Sequence, residues 1–175
     1  GISVLNENLI SSFNYSLIPG SKLPENKNEI VIPKFVAEYY VKNGFLQPNE
    51  ETGVSDIIQI NSVADMIGKE ITVQINWSIP SQKYKIVGIL ETGFDTSRYE
   101  VLADTRNEGN LLNMVIGSEL EAAKNYSLHA VMFVHQDLFD SVSTILNQDR
   151  SNVRNGNFQM VEYKDKNAAL DDNNY

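Results

Sequence analysis

Apolar residues recur along this chain with different periods, and each period predicts a different element. Glu29-Ile-Val-Ile-Pro33 is a β-branched run closed by proline, which predicts a strand. Directly after it, Phe35, Val36, Tyr39 and Tyr40 fall at helical spacing and Gly44 supplies a stop, so a helix over 34–44 follows. Between positions 70 and 77, Ile71, Val73, Ile75 and Trp77 alternate with Thr72, Gln74 and Asn76, the period of a half-buried strand. A second strand over 83–90 is joined to it by a turn containing Pro80, which predicts an antiparallel hairpin. Ser62, with Asp65 three residues on, has the form of a capping box and predicts a short helix ending at Gly68. Near the end of the chain a strand over 128–134, a helix over 136–146 bearing Leu138, Phe139, Val142, Ile145 and Leu146 on one face, and a strand over 157–163 spell β-α-β. That connection is long enough for a right-handed crossover.

Other segments carry weaker patterns. Over 1–28 Asn, Ser and Glu mix with scattered apolar positions, and Pro19-Gly20 and Leu23-Pro24 read as turns leading into the first strand. Pro48, Gly53 and the acidic Glu50, Glu51 and Asp56 predict a loop over 45–60 that ends in a short apolar segment. Over 91–125 the pattern suggests a turn at 93–97, a short strand over 98–102 and a loop at 108–110. The Asp- and Asn-rich tail after Leu170 reads as frayed.

Composition narrows the function classes. A chain of 175 residues that is 42% hydrophobic can build a core, so the expectation is one domain, with room for two lobes. The net charge of −9, without any run of Lys and Arg, disfavours nucleic-acid binding, which depends on basic contacts to phosphate. With no cysteine there is no disulfide, no thiolate nucleophile and no Cys-ligated metal. The longest apolar runs are about a strand long, far short of the roughly 20 residues of a membrane span. Residue 1 is Gly and no signal pattern follows it, so the chain reads as a piece of something longer.

Catalytic motifs are missing. His129 and His135 would lie on one face of the 128–134 strand but about 20 Å apart, too far to share a metal. Neither G-x-S-x-G nor a Gly-rich phosphate loop occurs, and the carboxylates are spread along the chain. No catalytic, cofactor or metal residue is therefore assigned, and no cofactor is expected. Asn14, Asn76 and Asn125 each begin an Asn-x-Ser triplet, as chance would give in an Asn-rich chain. Heavy Asn, Lys and Ile usage suggests an AT-rich bacterial genome.

Three segments carry a family resemblance. The run over 18–38, with Gly20, Pro24, Glu29, Ile30, Val31, Ile32 and Ala37, is similar to a G-[RS]-x-[LP]-P, E-I-V-I, A pattern in extracytoplasmic domains of FtsX-like, MacB-type ABC transporter permeases. Met66-Ile-Gly-Lys-Glu-Ile-Thr-Val, with Gly68 and Lys69, resembles that family's "[LI]-[IL]-G-K" segment. Tyr84-Lys-Ile-Val-Gly-Ile-Leu, with Val87 and Gly88, looks like its "V-G-[IV]" strand. All these positions are read as structural. The resemblance implies an α+β fold: one extracytoplasmic domain over 1–175, with a β-rich inserted lobe over about 18–116 and a partial porter-like β-α-β lobe that includes 126–163. It departs from the family in that the first residues show no clear β-α-β unit. It further implies a non-catalytic domain on the outer side of a bacterial cell membrane, coupling ATP hydrolysis in a cytoplasmic ABC ATPase to export or mechanotransmission. The implied partners are that ATPase, a second permease copy and a membrane fusion protein. The excised piece is expected to be a monomer, and its charge of −9 suits a cationic peptide. The competing reading is a secreted or surface module binding peptide or glycan through exposed Trp77, Tyr39 and Tyr40. The strand and helix periods instead assign those three aromatics to core packing.

Overall fold

The computed structural model describes residues 1–49, 51–103 and 111–149. The expected strand over 157–163, the loop at 108–110 and the tail lie outside the described residues. The fold is α+β. One mixed sheet contains β1 (Ile2–Val4), β2 (Ser16–Leu17), β3 (Glu29–Pro33), β6 (Glu70–Val73), β7 (Gln82–Glu91) and β8 (Met132–Val134), in the order β1-β8-β3-β7-β2, with β6 also on β7. A separate two-stranded sheet pairs β4 (Phe45–Pro48) with β5 (Ser55–Ile58). The helices are α1 (Glu7–Phe13), α2 (Lys34–Asn43), α3 (Leu111–Tyr126) and α4 (Gln136–Asp149).

The sheet is covered on both faces, and the alternation of side chains decides which residues meet which helix. Ile30 and Ile32 of β3, Ile86 and Ile89 of β7 and Val134 of β8 pack with Ala37 of α2 and Leu138, Phe139 and Val142 of α4. Val31, Val87, Leu90 and Phe133 point the other way and bury Leu9 of α1 with Tyr15. Along β7 the alternation slips by one at a bulge. Ile30 faces Ile86 but Val31 faces Gly88, so Val87 is the extra residue. Without that slip, Ile86 and Ile89 would lie on opposite faces.

Several predicted elements are present. β3 and α2 follow one another as read, with Gly44 at φ +82° ending the helix. β6 and β7 form the antiparallel hairpin, Ile71 opposite Tyr84. The short helix after Ser62 is a 3₁₀ turn, Val63–Met66, in which the Asp65 carboxylate accepts from the Ser62 backbone N–H at 2.9 Å. Three expectations need correction, and one stretch without a reading forms a helix. The first residues do form a β-α-β sequence: Asn6 caps α1 by accepting from the Leu9 N–H at 2.8 Å, and Asn14 at φ 54° ends it. Both strands flanking α1 are only two or three residues long, too short to show a period. The loop over 45–60 contains the β4–β5 hairpin. The strand expected over 98–102 is a 3₁₀ segment, Ser97–Ala103, started by Asp95 accepting from the Ser97 N–H. The unread stretch before residue 126 is the 16-residue helix α3, whose one buried residue among those described is Ile116.

β8 comes from the segment expected in the porter-like lobe, yet it lies between β1 and β3, parallel to the first and antiparallel to the second. Strands from both expected lobes therefore share one sheet.

Candidate functional site

The three motif segments converge on β7. One edge of β7 is taken by β3, running parallel. The other edge is served in turn by three pieces of chain. β6 pairs with its first half, and the bulge at Ile86 receives the Gly68 N–H at 2.7 Å while giving its own N–H to the Lys69 carbonyl. Next, the Lys22 N–H donates to the Val87 carbonyl and the Ser21 hydroxyl accepts from the Ile89 N–H at 2.9 Å. Finally the Ile18 N–H donates to the Ile89 carbonyl, and β2 pairs with the end of the strand.

The motif glycines have identifiable roles here. Pro19-Gly20 makes a tight turn, with the Ser21 N–H donating to the Ile18 carbonyl and Gly20 at φ +87°. Gly88 sits against the 20–24 loop: a Cβ there would stand 2.8 Å from the Lys22 carbonyl oxygen and 3.1 Å from both Ser21 Cβ and Val31 Cγ2. Pro24, at the end of that loop, is buried, and Ala37 is fully enclosed on α2. Glu29 closes the loop, its carboxylate accepting from the Glu25 N–H at 2.8 Å and pairing with Lys22 at 3.3 Å. The Glu25 N–H first, and then Lys22, holds the Glu29 carboxyl below its ordinary range. Val87 and Ile30, Val31 and Ile32 fill the two cores. Lys69 is different: its ammonium lies 5.4 Å from the centre of the Phe45 ring, at the mouth of a cleft.

That cleft, about 860 Å³, separates the main sheet from the hairpin. Its walls are Gly68 and Lys69 leading into Glu70 to Thr72 of β6, Phe45 to Pro48 on β4, and Tyr39 and Tyr40 on α2, with Lys83 reaching in from β7. Two of the aromatics assigned to the core are in fact exposed. Tyr39 is 62% exposed because α2 turns Val36, Ala37, Tyr40 and Val41 inward, with Tyr40 edge-on to Phe45. Trp77 is 67% exposed because β6 stops at Val73. Buried Asn76 then forms a turn, accepting from the Ser78 N–H, and Ile79 takes the core place. Tyr40, the third of those aromatics, is partly buried and packs against the core.

The histidines occupy unrelated places. β8 begins only at Met132, so His129 lies in the preceding turn. Its Nδ1 is 3.0 Å from the Thr92 carbonyl and 3.1 Å from the Tyr15 hydroxyl, and the Thr92 hydroxyl donates back to the His129 carbonyl at 2.6 Å. A carbonyl only accepts, so Nδ1 carries the proton. The pair clamps the end of β7 to the turn before β8, under an aromatic cluster of Phe13, Tyr15 and Phe133. Burial pushes the Tyr15 hydroxyl pKa well above its ordinary value, so it acts as a hydrogen-bonding group rather than an acid. His135 instead begins α4, its Nδ1 accepting from the Asp137 N–H. Sequence spacing could not find the Tyr15, Thr92 and His129 contact, since its members are far apart in the chain.

Among the described residues no group of three or more His, Cys, Asp or Glu could hold a metal, and no helix is long and apolar enough to cross a membrane. Comparison with protein-family models, curated proteins and solved structures finds no match.

Proposed function

We propose that this chain is a non-catalytic extracytoplasmic domain of an ABC transporter permease of the FtsX-like, MacB-type kind, on the outer face of a bacterial cell membrane. The observation supporting the reading is that the three segments resembling the family meet on one strand, β7, where their glycines and polar groups complete its hydrogen bonding. In this role the domain is a rigid body carried by membrane helices. Binding and hydrolysis of ATP in a cytoplasmic partner bias those helices between two arrangements, and the domain converts the bias into access for an exported substrate or into force on an extracellular partner. A second permease copy completes the transporter, and a membrane fusion protein is a further partner.

Two measurements test this. The reading frame around the chain is expected to encode an apolar run of about 20 residues upstream and three more downstream. The full protein, solubilised from its native membrane, is expected to co-purify with an ATPase subunit or to carry an ATPase domain. A signal peptide upstream with a stop codon soon after residue 175 overturns the reading. Exposed Tyr39 and Trp77 would then favour the second reading, a secreted or surface module that binds peptide or glycan.

A further inference from the structure

We infer that the cleft between β6 and β4 is a strand-addition site for an extended peptide carrying acidic side chains. The inference stands independently of the permease reading, because it rests on the backbone of the cleft walls. In an antiparallel pair, successive residues alternate between bonding their neighbour strand and pointing their N–H and C=O away from it. The Ile86 N–H donates to the Lys69 carbonyl, and the register continues with Ile71 opposite Tyr84 and Val73 opposite Gln82. Glu70 and Thr72 therefore direct their backbone groups off the free edge of β6. Both residues line the cleft, and neither makes a backbone hydrogen bond on that side to another described residue.

The opposite wall is also a strand edge. The Asn49 N–H donates to the Val54 carbonyl, and the same alternation along β4 turns the Leu46 N–H and C=O, and the Pro48 C=O, outward. β4 contributes all four of its residues to the cleft while β5 contributes only Ile57, so the cleft lies on the unpaired side of the hairpin. Open edges of this kind are usually short, charged or covered, since they template pairing with another chain. Here two of them face one space of a size suited to a peptide.

Charge selects the occupant. Although the whole chain carries −9, Lys69 and Lys83 flank this cleft and neither has an ion-pair partner among the described residues. Among the described residues of the lining Glu70 is the one carboxylate, set against the two ammonium groups, and it stands opposite Lys85 in the ladder without an ion pair to it. A peptide strand with acidic side chains would meet the Lys83 ammonium and the Lys69 ammonium that lies against the Phe45 ring, while Tyr39, Leu46 and Ile57 offer apolar seats for alternate residues.

The test is an amide NMR titration of the 175-residue chain with a capped heptapeptide of alternating valine and glutamate. Saturable shifts are expected at Glu70 and Thr72. Lys83→Glu is expected to weaken binding roughly tenfold or more. Thr72→Pro removes an edge donor that the native ladder does not use, so it is expected to abolish binding while leaving the melting curve in place. If Thr72→Pro fails to fold, the exposed Lys83→Glu change and a peptide with proline at alternate positions, which lacks the needed donors, carry the test. The inference is overturned by absence of saturable binding up to about 1 mM peptide. It is overturned equally by unchanged affinity in Lys83→Glu or by equal binding of the peptide with lysine in place of glutamate. Shifts at Glu70 and Thr72 that grow with protein concentration alone would assign the edge to a second copy of this chain instead.

Discussion

β7 and the β4–β5 hairpin both carry large apolar residues, yet β7 is enclosed and the hairpin lies open. In β7, Tyr84, Ile86, Val87, Ile89 and Leu90 are all buried, because chain lies along both edges and helices cover both faces. In the hairpin only Phe45 is buried, whereas Leu46 is 62% and Ile57 73% exposed. The difference follows the number of neighbours each strand has, and Gln47, Ser55 and Asp56 suit the hairpin to its exposure. The hairpin is held by its turn: Asn49 accepts from the Glu51 and Thr52 N–H groups and donates to Asp56, and Gly53 takes φ +69° to close the loop. Local hydrogen bonds thus stand in for a core, leaving one edge and one face free for a partner.

The widest separation between the regions is expected from matched truncations. Ile86→Ala removes a fully buried side chain packed against α2 and α4 and should cost about 2–5 kcal/mol in urea unfolding. Ile57→Ala, the same change in the hairpin, should stay within about 0.5 kcal/mol. Equal losses at the two positions would mean that the hairpin is part of the cooperative core, and the contrast would fail.

A smaller effect sharpens the same contrast inside the motif region. Gly88→Ala places a methyl group 2.8 Å from the Lys22 carbonyl oxygen, a backbone atom that can retreat only by pulling the 20–24 loop off β7. The expected cost is about 1–3 kcal/mol, by the logic of overpacking. Hydrogen exchange should report it locally, with the Lys22 and Ile89 amides losing protection while β4 and β5 amides are unchanged. A neutral Gly88→Ala would remove close approach as the reason for glycine at this position.

Legibility in the sequence followed the same divide. β3 and β7 were readable as continuous apolar runs buried on both faces, Ile30 to Ile32 among them, and α2 and β6 as regular stripes, Ile71 with Val73 announcing the period of β6. β4 and β5 were not, since an exposed hairpin with Pro48 and acidic residues has the composition of a loop. α3 hid for a related reason: with Leu111, Leu112, Met114 and Val115 exposed, its apolar residues trace no stripe. Trp77 was misplaced because alternation was extended past Val73 into a turn that only the buried Asn76 side chain specifies. The cleft was not legible, because its walls come from five elements and its open backbone edges leave no mark on side-chain pattern.

The smallest expected effect concerns pH and the loop that covers β7. The Glu25 N–H and then Lys22 lower the Glu29 carboxyl pKa in the folded state. A carboxylate whose folded pKa lies below its unfolded value of about 4.3 contributes stability that is complete above that value and is lost as pH falls through the folded one. Glu29→Gln should therefore be less stable than the parent at pH 7, and the gap should narrow through the acid range until the two unfold alike. Raising the salt should remove only part of the gap, since water and salt screen exposed Lys22 while the hydrogen bond from Glu25 persists. A gap that stayed constant down to pH 2 would mean that the carboxylate charge does nothing for the loop. The loop would then be held on β7 by Ser21, Lys22 and the Gly20 turn alone, as the hairpin is held by Asn49.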